Sequence, residues 1–244
     1  SFHINALTDI SGMLNVKGSF KVDISGGGLE NIYNSSKLAE ATNDANILSW
    51  KQKGKTIIGK LSDTSGDQYW GQFENSIAIN YSGDTFVAGN MYNHEGTSGN
   101  HAGITQIYRW NDVSWNQLGQ NIYGEVDGDE SGWATAINGK GDIVVIGARK
   151  NDGGGSNSGH VRVYKYNDVS WNQMGVDIDG DGNDDWFGFS TAINKEGTII
   201  AAGGTYWDGG NAAGGGDNHG YVQIYKWDHI NETWNQLGLS LIHI

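Results

Sequence analysis

The chain contains no cysteine and no proline. Without cysteine it can form neither a disulfide nor a thiolate metal site. Lysine and arginine together number only 15 in 244 residues, against 28 aspartates and glutamates, so the formal net charge is −13. This charge argues against nucleic acid as a partner, because nucleic acids are bound through basic surfaces. No apolar run reaches transmembrane length, so we expect no membrane insertion.

Glycine is abundant, with 39 residues, and it accompanies an internal repeat. The motif Trp-x-Gln-x-Gly begins at Trp50, Trp115, Trp171 and Trp234. Two other motifs recur between these tryptophans in a constant order, one ending in Ala-Ile-Asn and one that combines aromatic and basic residues. The motifs keep their order while the stretches between them change length, as loops do.

Each period contains four segments with the composition of short strands. In the last copy they are 189–194, 198–203, 221–227 and 233–237. Four antiparallel strands in a period of this length are typical of a propeller blade. We therefore predict an all-β fold, a β-propeller-like array of four-stranded antiparallel blades. Three blades are complete (71–119, 132–175 and 188–238), and a partial one at 47–59 precedes them, so the array would be an open arc.

The repeat also predicts how the chain is divided. Residues 1–46 do not carry it and are predicted to be a lead-in segment, whereas residues 47–238 form the blades. The last six residues, 239–244, leave the pattern, and we expect them to be a non-native tail. On this interpretation the chain is a fragment of a longer protein.

Two glycine-rich segments carry a resemblance to a known family. They are Phe187-Gly188-Phe189-Ser190 followed by 197–203, and Ser131-Gly132-Trp133-Ala134 followed by 141–148. Both resemble the FG-GAP repeat of integrin-alpha-type β-propellers and of related bacterial and viral surface proteins, over about residues 47–238. The resemblance implies a non-enzymatic module for adhesion or ligand binding. It also implies a location outside the cell, on a cell surface or a virion, and a protein or glycan ligand.

An acidic stretch before the third complete blade has the spacing of a calcium loop. Its candidate ligands alternate along the chain and are Asp177, Asp179, Asp181, Asn183 and Asp185. Carboxylates at positions one, three and five can converge on one hard cation, and the intervening glycine permits the sharp turn. FG-GAP repeats carry a calcium loop with this spacing. Alternatively, the stretch is an acidic variant of the ordinary connector between blades.

Further residue sets support weaker hypotheses. His101, His160 and His219 are predicted to lie just before the third strands of successive blades, where solvated loops are the default and a shared zinc site is disfavoured. Loop tryptophans such as Trp133, Trp186 and Trp207 would serve a carbohydrate-binding propeller. No order of catalytic residues stands out, so the chain is predicted not to be an enzyme. A propeller hydrolase and a structural spacer in a viral fibre or cell-wall protein are further alternatives.

Overall fold

The computed structural model describes residues 51–57, 76–92, 101–207, 219–238 and 241–242. The chain divides between Lys53 and Gly54, and only residues 51–53 of the first unit are described, so the fold below is that of the second unit. The predicted lead-in segment at 1–46 lies outside the described residues, and its boundary stays a prediction. The partial blade is described only at 51–57, which contain no strand.

Three sheets, here called the first, second and third blades, account for the described strands. The first blade comprises β1 (Ser76–Ile79), β2 (Thr85–Asn90), β3 (Ile104–Trp110), β4 (Trp115–Gln117) and β5 (Ile122–Tyr123). The second comprises β6 (Ser131–Ile137), β7 (Ile143–Ala148), β8 (His160–Tyr166), β9 (Trp171–Gln173) and β10 (Ile178–Asp179). The third comprises β11 (Ser190–Ile193), β12 (Ile199–Trp207), β13 (His219–Asp228), β14 (Thr233–Gln236) and β15 (Leu241–Ile242).

All pairings between these strands are antiparallel, and the first four strands of each blade pair in chain order, so the predicted fold class is confirmed. The described residues contain no helix, and hence none that could cross a membrane. One feature was not predicted. A two-residue fifth strand follows the fourth strand in each of the three blades. The fourth strand pairs with the second half of the third strand, and the fifth strand pairs with its first half.

Neighbouring blades pack face to face through two apolar cores. The core between the first and second blades includes Val87, Ile107, Val144 and Trp171. The core between the second and third blades includes Val145, Val163, Phe187, Ile200 and Trp227. Strand β7 contributes alternate residues to both cores and is therefore buried along its whole length.

The repeated tryptophan–glycine motif joins one blade to the next. The indole nitrogen of Trp171 donates to the carbonyl of Leu118 in the first blade at 2.7 Å, and Trp234 donates to Met174 in the second at 2.8 Å. Gly119 lies beneath Trp171, where a Cβ would come within 2.8 Å of the indole ring, and its φ of 73° suits glycine. The motif recurs because each contact needs both the ring and the bare backbone.

The Ala-Ile-Asn motif closes the turn between the first two strands of each blade. The side-chain oxygen of Asn138 accepts hydrogen bonds from the amides of Gly141, Asp142 and Ile143, each at 3.0 Å. Asn80 and Asn194 make corresponding bonds in the other blades. An asparagine side chain that mimics a backbone carbonyl suits such a turn.

The predicted non-native tail contains a strand. Leu241 and Ile242 pair with Val222 and Tyr221 of β13. Residues 122–123 and 178–179 occupy the same register in the first and second blades. The backbone of 241–242 thus continues the blade pattern, whereas the origin of residues 239–244 stays a prediction.

Candidate functional site

A cluster of charged side chains lies at one end of the second blade. His160 and Arg162 are alternate residues of β8, and Asp179 lies directly across from His160 in β10. Glu125 comes from the connector that leads from β5 to β6. Together with Asp177 these residues form what we call the second-blade socket. The strand register sets it, because residues two apart in a strand share a face.

The three carboxylates surround one nitrogen of the imidazole. The Nδ1 atom of His160 lies 3.7 Å from Asp177 Oδ2, 3.9 Å from Glu125 Oε2 and 4.0 Å from Asp179 Oδ1. These separations exceed hydrogen-bond length. Neither ring nitrogen of His160 has a hydrogen-bond partner among the described residues. The imidazole is thus directed towards acidic groups without bonding to them.

Burial differs sharply between the imidazole and the carboxylates. The His160 side chain is 1% exposed, whereas the side chains of Glu125, Asp177 and Asp179 are 44%, 28% and 39% exposed. The socket therefore combines a buried imidazole with carboxylates that are partly open to solvent. A small polar ligand could reach the carboxylates directly.

The local charges and burial shift two ionisation equilibria. Burial lowers the pKa of His160 to about 4, the Arg162 cation acts in the same direction, and Asp177 opposes both. The imidazole is accordingly uncharged at neutral pH and keeps a lone pair. Burial, followed by the neighbouring Asp177 charge, raises the pKa of Asp179. A carboxylate with a raised pKa is a stronger base than an ordinary aspartate.

Two surrounding residues orient the acidic groups. Gln173 donates from Nε2 to Asp177 Oδ1 at 2.5 Å, which leaves Oδ2 facing His160. The buried Arg162 donates to the carbonyl of Tyr123 at 3.0 Å and lies 3.4 Å from Glu125 Oε1. The guanidinium thus balances part of the negative charge and ties the connector to β8.

The corresponding positions of the other two blades carry different chemistry. In the first blade, Ile104 and Gln106 replace His160 and Arg162, and Gln106 donates to Asn121 at 3.0 Å. In the third blade, Gln223 stands in the Arg162 position and donates to Asp181 at 2.9 Å. Asp181 therefore occupies the connector position that Glu125 has in the second blade.

The five predicted calcium ligands are dispersed among different partners. Asp177 and Asp179 face His160, whereas Asp181 accepts from Gln223. Asn183 accepts from the amide of Ser156 at 3.0 Å, and Asp185 is buried with its carbonyl bonded to the amide of Thr205. This arrangement does not fit a single calcium shell. Calcium binding at 177–185 stays a prediction, and the arrangement of these five side chains does not support it.

The histidines and tryptophans considered in the sequence analysis also lie in different environments and do not form one site. His160 is buried in β8, so a solvated loop is the wrong description for it, whereas His219 is exposed at the start of β13 and His101 precedes β3. Trp133 and Trp186 converge on Arg149, whose guanidinium carbon lies 3.3 and 4.5 Å from the two ring centroids. The side chain of Trp207 lies outside the described residues. Carbohydrate binding by these tryptophans stays a hypothesis.

Sequence reasoning missed Glu125, His160 and Arg162 as one group. Glu125 and His160 are separated by 35 positions in the sequence, so no local pattern links them. The available signal was a break in the repeat, because the other two blades have glutamine where the second has Arg162. Among the described residues, Glu125, His160 and Asp177 are the group whose ligand atoms all lie within 4.8 Å of one another.

Comparisons with known proteins bear mainly on the overall architecture. No family model and no curated protein matches the chain. One similar solved structure is a protein from Bacteroides uniformis described provisionally as a 6-phosphogluconolactonase, with 11% identity, a TM-score of 0.43 and coverage of 68% of this chain and 39% of that one. Another is the periplasmic gluconolactonase of Pseudomonas aeruginosa, with 12% identity, a TM-score of 0.34 and coverage of 67% and 56%.

The comparison corrects the function predicted from the sequence. Both solved structures are described as lactonases, which are enzymes, so the predicted non-enzymatic adhesion or ligand-binding module is not retained. This chain spans about 39% and 56% of the lengths of those proteins. At these identities and TM-scores the likeness transfers neither a substrate nor the role of any residue. The FG-GAP resemblance and the extracellular location stay predictions.

Proposed function

We propose that the chain carries the reaction centre of a propeller hydrolase and that this centre is the second-blade socket. The observation that supports it is the open group of three carboxylates above a buried, uncharged imidazole. Structural ion pairs normally satisfy their members, yet the nitrogens of His160 have no partner among the described residues. A cluster of ionisable groups with shifted pKa values, partly open to solvent, supports the proposal of a reaction centre.

Asp179 is the residue best suited to transfer the proton. Its pKa is raised by burial and by Asp177, and its side chain is 39% exposed, so it can meet a substrate. As a general base it would take a proton from a water molecule whose oxygen bonds to the carbonyl carbon of an ester or lactone. The bond from that carbon to the leaving oxygen then breaks, and Asp179 returns the proton to the leaving oxygen.

The charge of the socket selects among substrates. Three carboxylates face solvent, and Arg162, the nearby cation, is buried beneath them and engaged with Glu125 and Tyr123. An anionic substrate would meet repulsion on entry, in addition to the overall charge of −13. We therefore expect neutral esters or lactones to be preferred over phosphorylated ones.

The test is turnover by the full chain on a panel of neutral and phosphorylated lactones and simple esters. Gluconolactone and 6-phosphogluconolactone are included only because the two solved structures are named for them. Acid release is followed with a pH indicator, and spontaneous hydrolysis is subtracted. The decisive pair of variants is Asp179→Asn and Asp181→Asn, because Asp181 bonds Gln223 and lies outside the socket.

We expect turnover on a neutral member of the panel, reduced at least about 100-fold in Asp179→Asn and changed less than about 3-fold in Asp181→Asn. Circular dichroism would establish that both variants retain the wild-type fold. Equal turnover by the two variants, or no turnover above background on the whole panel, would overturn the proposal.

A further inference from the structure

We infer that the second-blade socket binds one divalent transition-metal ion through His160 Nδ1 and the carboxylates of Glu125 and Asp177. The inference supplies a cofactor for the proposed hydrolase and rests on that proposal for its catalytic role only. Binding of the ion itself follows from the geometry. These ligands differ from the sequence-predicted calcium set, with which they share only Asp177.

The buried imidazole indicates that the acidic cluster has a ligand. His160 is 1% exposed, and its Nδ1 atom has no hydrogen-bond partner although carboxylate oxygens lie 3.7 and 3.9 Å away on Asp177 and Glu125. Leaving a buried polar atom without a partner destabilises the folded state. A cation between the imidazole and the carboxylates removes that cost and also the repulsion between the acidic groups.

The spacing of the ligand atoms suits a small cation. Ligand atoms around a tetrahedral ion with bonds of about 2.0–2.2 Å are about 3.3–3.6 Å apart. The observed separations of 3.7 and 3.9 Å from Nδ1 require a closure of a few tenths of an ångström, and the ligand oxygens of Glu125 and Asp177 lie within 4.8 Å of each other. Gln173 already holds the second oxygen of Asp177 at 2.5 Å, as an orienting group outside a metal's ligand shell does.

The other two blades show that the fold alone does not require this cluster. The first blade has Ile104 in the register of His160 and Asn121 in that of Asp177. In the third blade, the connector carboxylate of Asp181 is already bonded to Gln223 at 2.9 Å. The blade architecture is therefore compatible with neutral or fully bonded side chains at these positions, and the unpaired imidazole is particular to the second blade.

The mixture of nitrogen and oxygen ligands selects the class of ion. Imidazole suits zinc, copper, iron and nickel, whereas calcium and magnesium prefer oxygen alone. Three protein ligands leave a fourth position for water, the arrangement of catalytic zinc sites. Asp179 Oδ1 lies 4.0 Å from His160 Nδ1, so it belongs to the same cluster without being one of the three proposed ligands.

The experiment measures zinc binding directly, with a competing chelator, on the full chain after metal removal. The ligand variants are Glu125→Gln and Asp177→Asn, both at partly exposed positions where folding should be preserved, and His160→Gln. The matched control is Asp181→Asn, whose carboxylate bonds Gln223 outside the socket. Cobalt(II) absorption and a calcium titration complete the set.

We expect one zinc ion per chain, an affinity reduced about 10–100-fold or more by each ligand variant, and a change below about 3-fold in the control. Cobalt should give the visible absorption of a site with nitrogen ligation, and calcium should bind at least about 100-fold more weakly than zinc. Absence of zinc binding, equal affinity in the ligand variants and the control, or a preference for calcium would overturn the inference.

The two proposals fail in distinguishable ways. A chain that binds zinc with this ligand dependence but hydrolyses nothing on the panel retains the metal site and overturns the hydrolase. A chain whose turnover is lost in Asp179→Asn, yet is unaffected by metal removal and by Glu125→Gln, retains the hydrolase and overturns the metal site.

Discussion

The second-blade socket and the matching positions of the third blade have the same strand register but different side chains. In each, a connector carboxylate reaches the third strand of the following blade, Glu125 towards Arg162 and Asp181 towards Gln223. The third-blade contact is a direct hydrogen bond of 2.9 Å, whereas the second-blade contact, at 3.4 Å, belongs to a larger charged group around His160. In these two blades the fold places a connector carboxylate at the same position, and the neighbouring side chains decide which partners it has.

The repeat also separates architectural features from functional ones. A positive φ at Trp186 resembles the strain often found at functional sites, but Glu130 has the same conformation at the matching position of the preceding connector. A feature present in both connectors belongs to the architecture. By the same reasoning, the unpaired His160 and the surrounding carboxylates are informative because the other blades do not repeat them.

Replacing Arg162 by the residue of the other two blades is the strongest way to test this difference. Arg162→Gln removes the buried cation that faces Glu125 and bonds to Tyr123. Because Glu125 is 44% exposed and partly screened, we expect a loss of about 2–3 kcal/mol in the free energy of unfolding of the metal-free chain. Urea denaturation measures it.

The control for this change is Lys165→Gln, which removes a cation from an exposed position of the same strand. It should alter the free energy of unfolding by less than about 0.5 kcal/mol. Similar losses of unfolding free energy for the two variants would mean that Arg162 stabilises the fold no more than an exposed cation does. Its contacts with Glu125 and Tyr123 would then contribute nothing specific.

The tryptophan contacts allow a second comparison, between the two interfaces rather than the two sockets. Trp171 is 3% exposed and bonds to Leu118, whereas Trp234 is only partly buried and bonds to Met174. Replacing either by phenylalanine removes the indole donor but keeps an aromatic ring. We expect Trp171→Phe to cost about 1–2 kcal/mol in the free energy of unfolding, and Trp234→Phe less, because its acceptor can gain water.

Thermal unfolding of the two variants under identical conditions gives this difference. Losses of the same size would show that solvent access does not distinguish the interfaces. A greater loss for Trp234→Phe would indicate that the interface between the second and third blades contributes more to stability than its burial suggests.

The smallest expected effect concerns a tyrosine of the third blade. Burial raises the pKa of Tyr225 to about 12, and the hydroxyl donates to Gln223 Oε1 at 2.7 Å. The ordinary value of about 10 applies in the unfolded chain. The folded state thus favours the protonated phenol, and this contribution to stability is complete below pH 10 and is lost as the pH rises towards 12.

Comparing wild type with Tyr225→Phe isolates this contribution. Between pH 9 and pH 11 the wild-type free energy of unfolding should fall by about 1 kcal/mol more than that of the variant, because one pKa unit corresponds to about 1.4 kcal/mol. Parallel pH profiles for the two proteins would show that Tyr225 ionises in the folded chain as it does in the unfolded one.

Much of the fold could be predicted because its determinants are local and repeated. The strand predicted at 221–227 lies within β13, the one predicted at 198–203 begins one residue before β12, and the asparagine turns occur where their motif stands. The fifth strands escaped prediction, since a two-residue segment such as Ile178–Asp179 has no detectable periodicity. Its pairing with β8 depends on register, which also turned two predicted calcium ligands towards His160.

The sequence by itself determined the repeating blade, because strand alternation, turn asparagines and the tryptophan–glycine motif all act over short distances along the chain. It also determined the acidic character of the molecule. Only the tertiary structure decided which acidic residues meet, since Glu125 reaches His160 across the junction of two blades. Contacts of this kind depend on how sheets stack, and a linear pattern of carboxylates does not record that stacking.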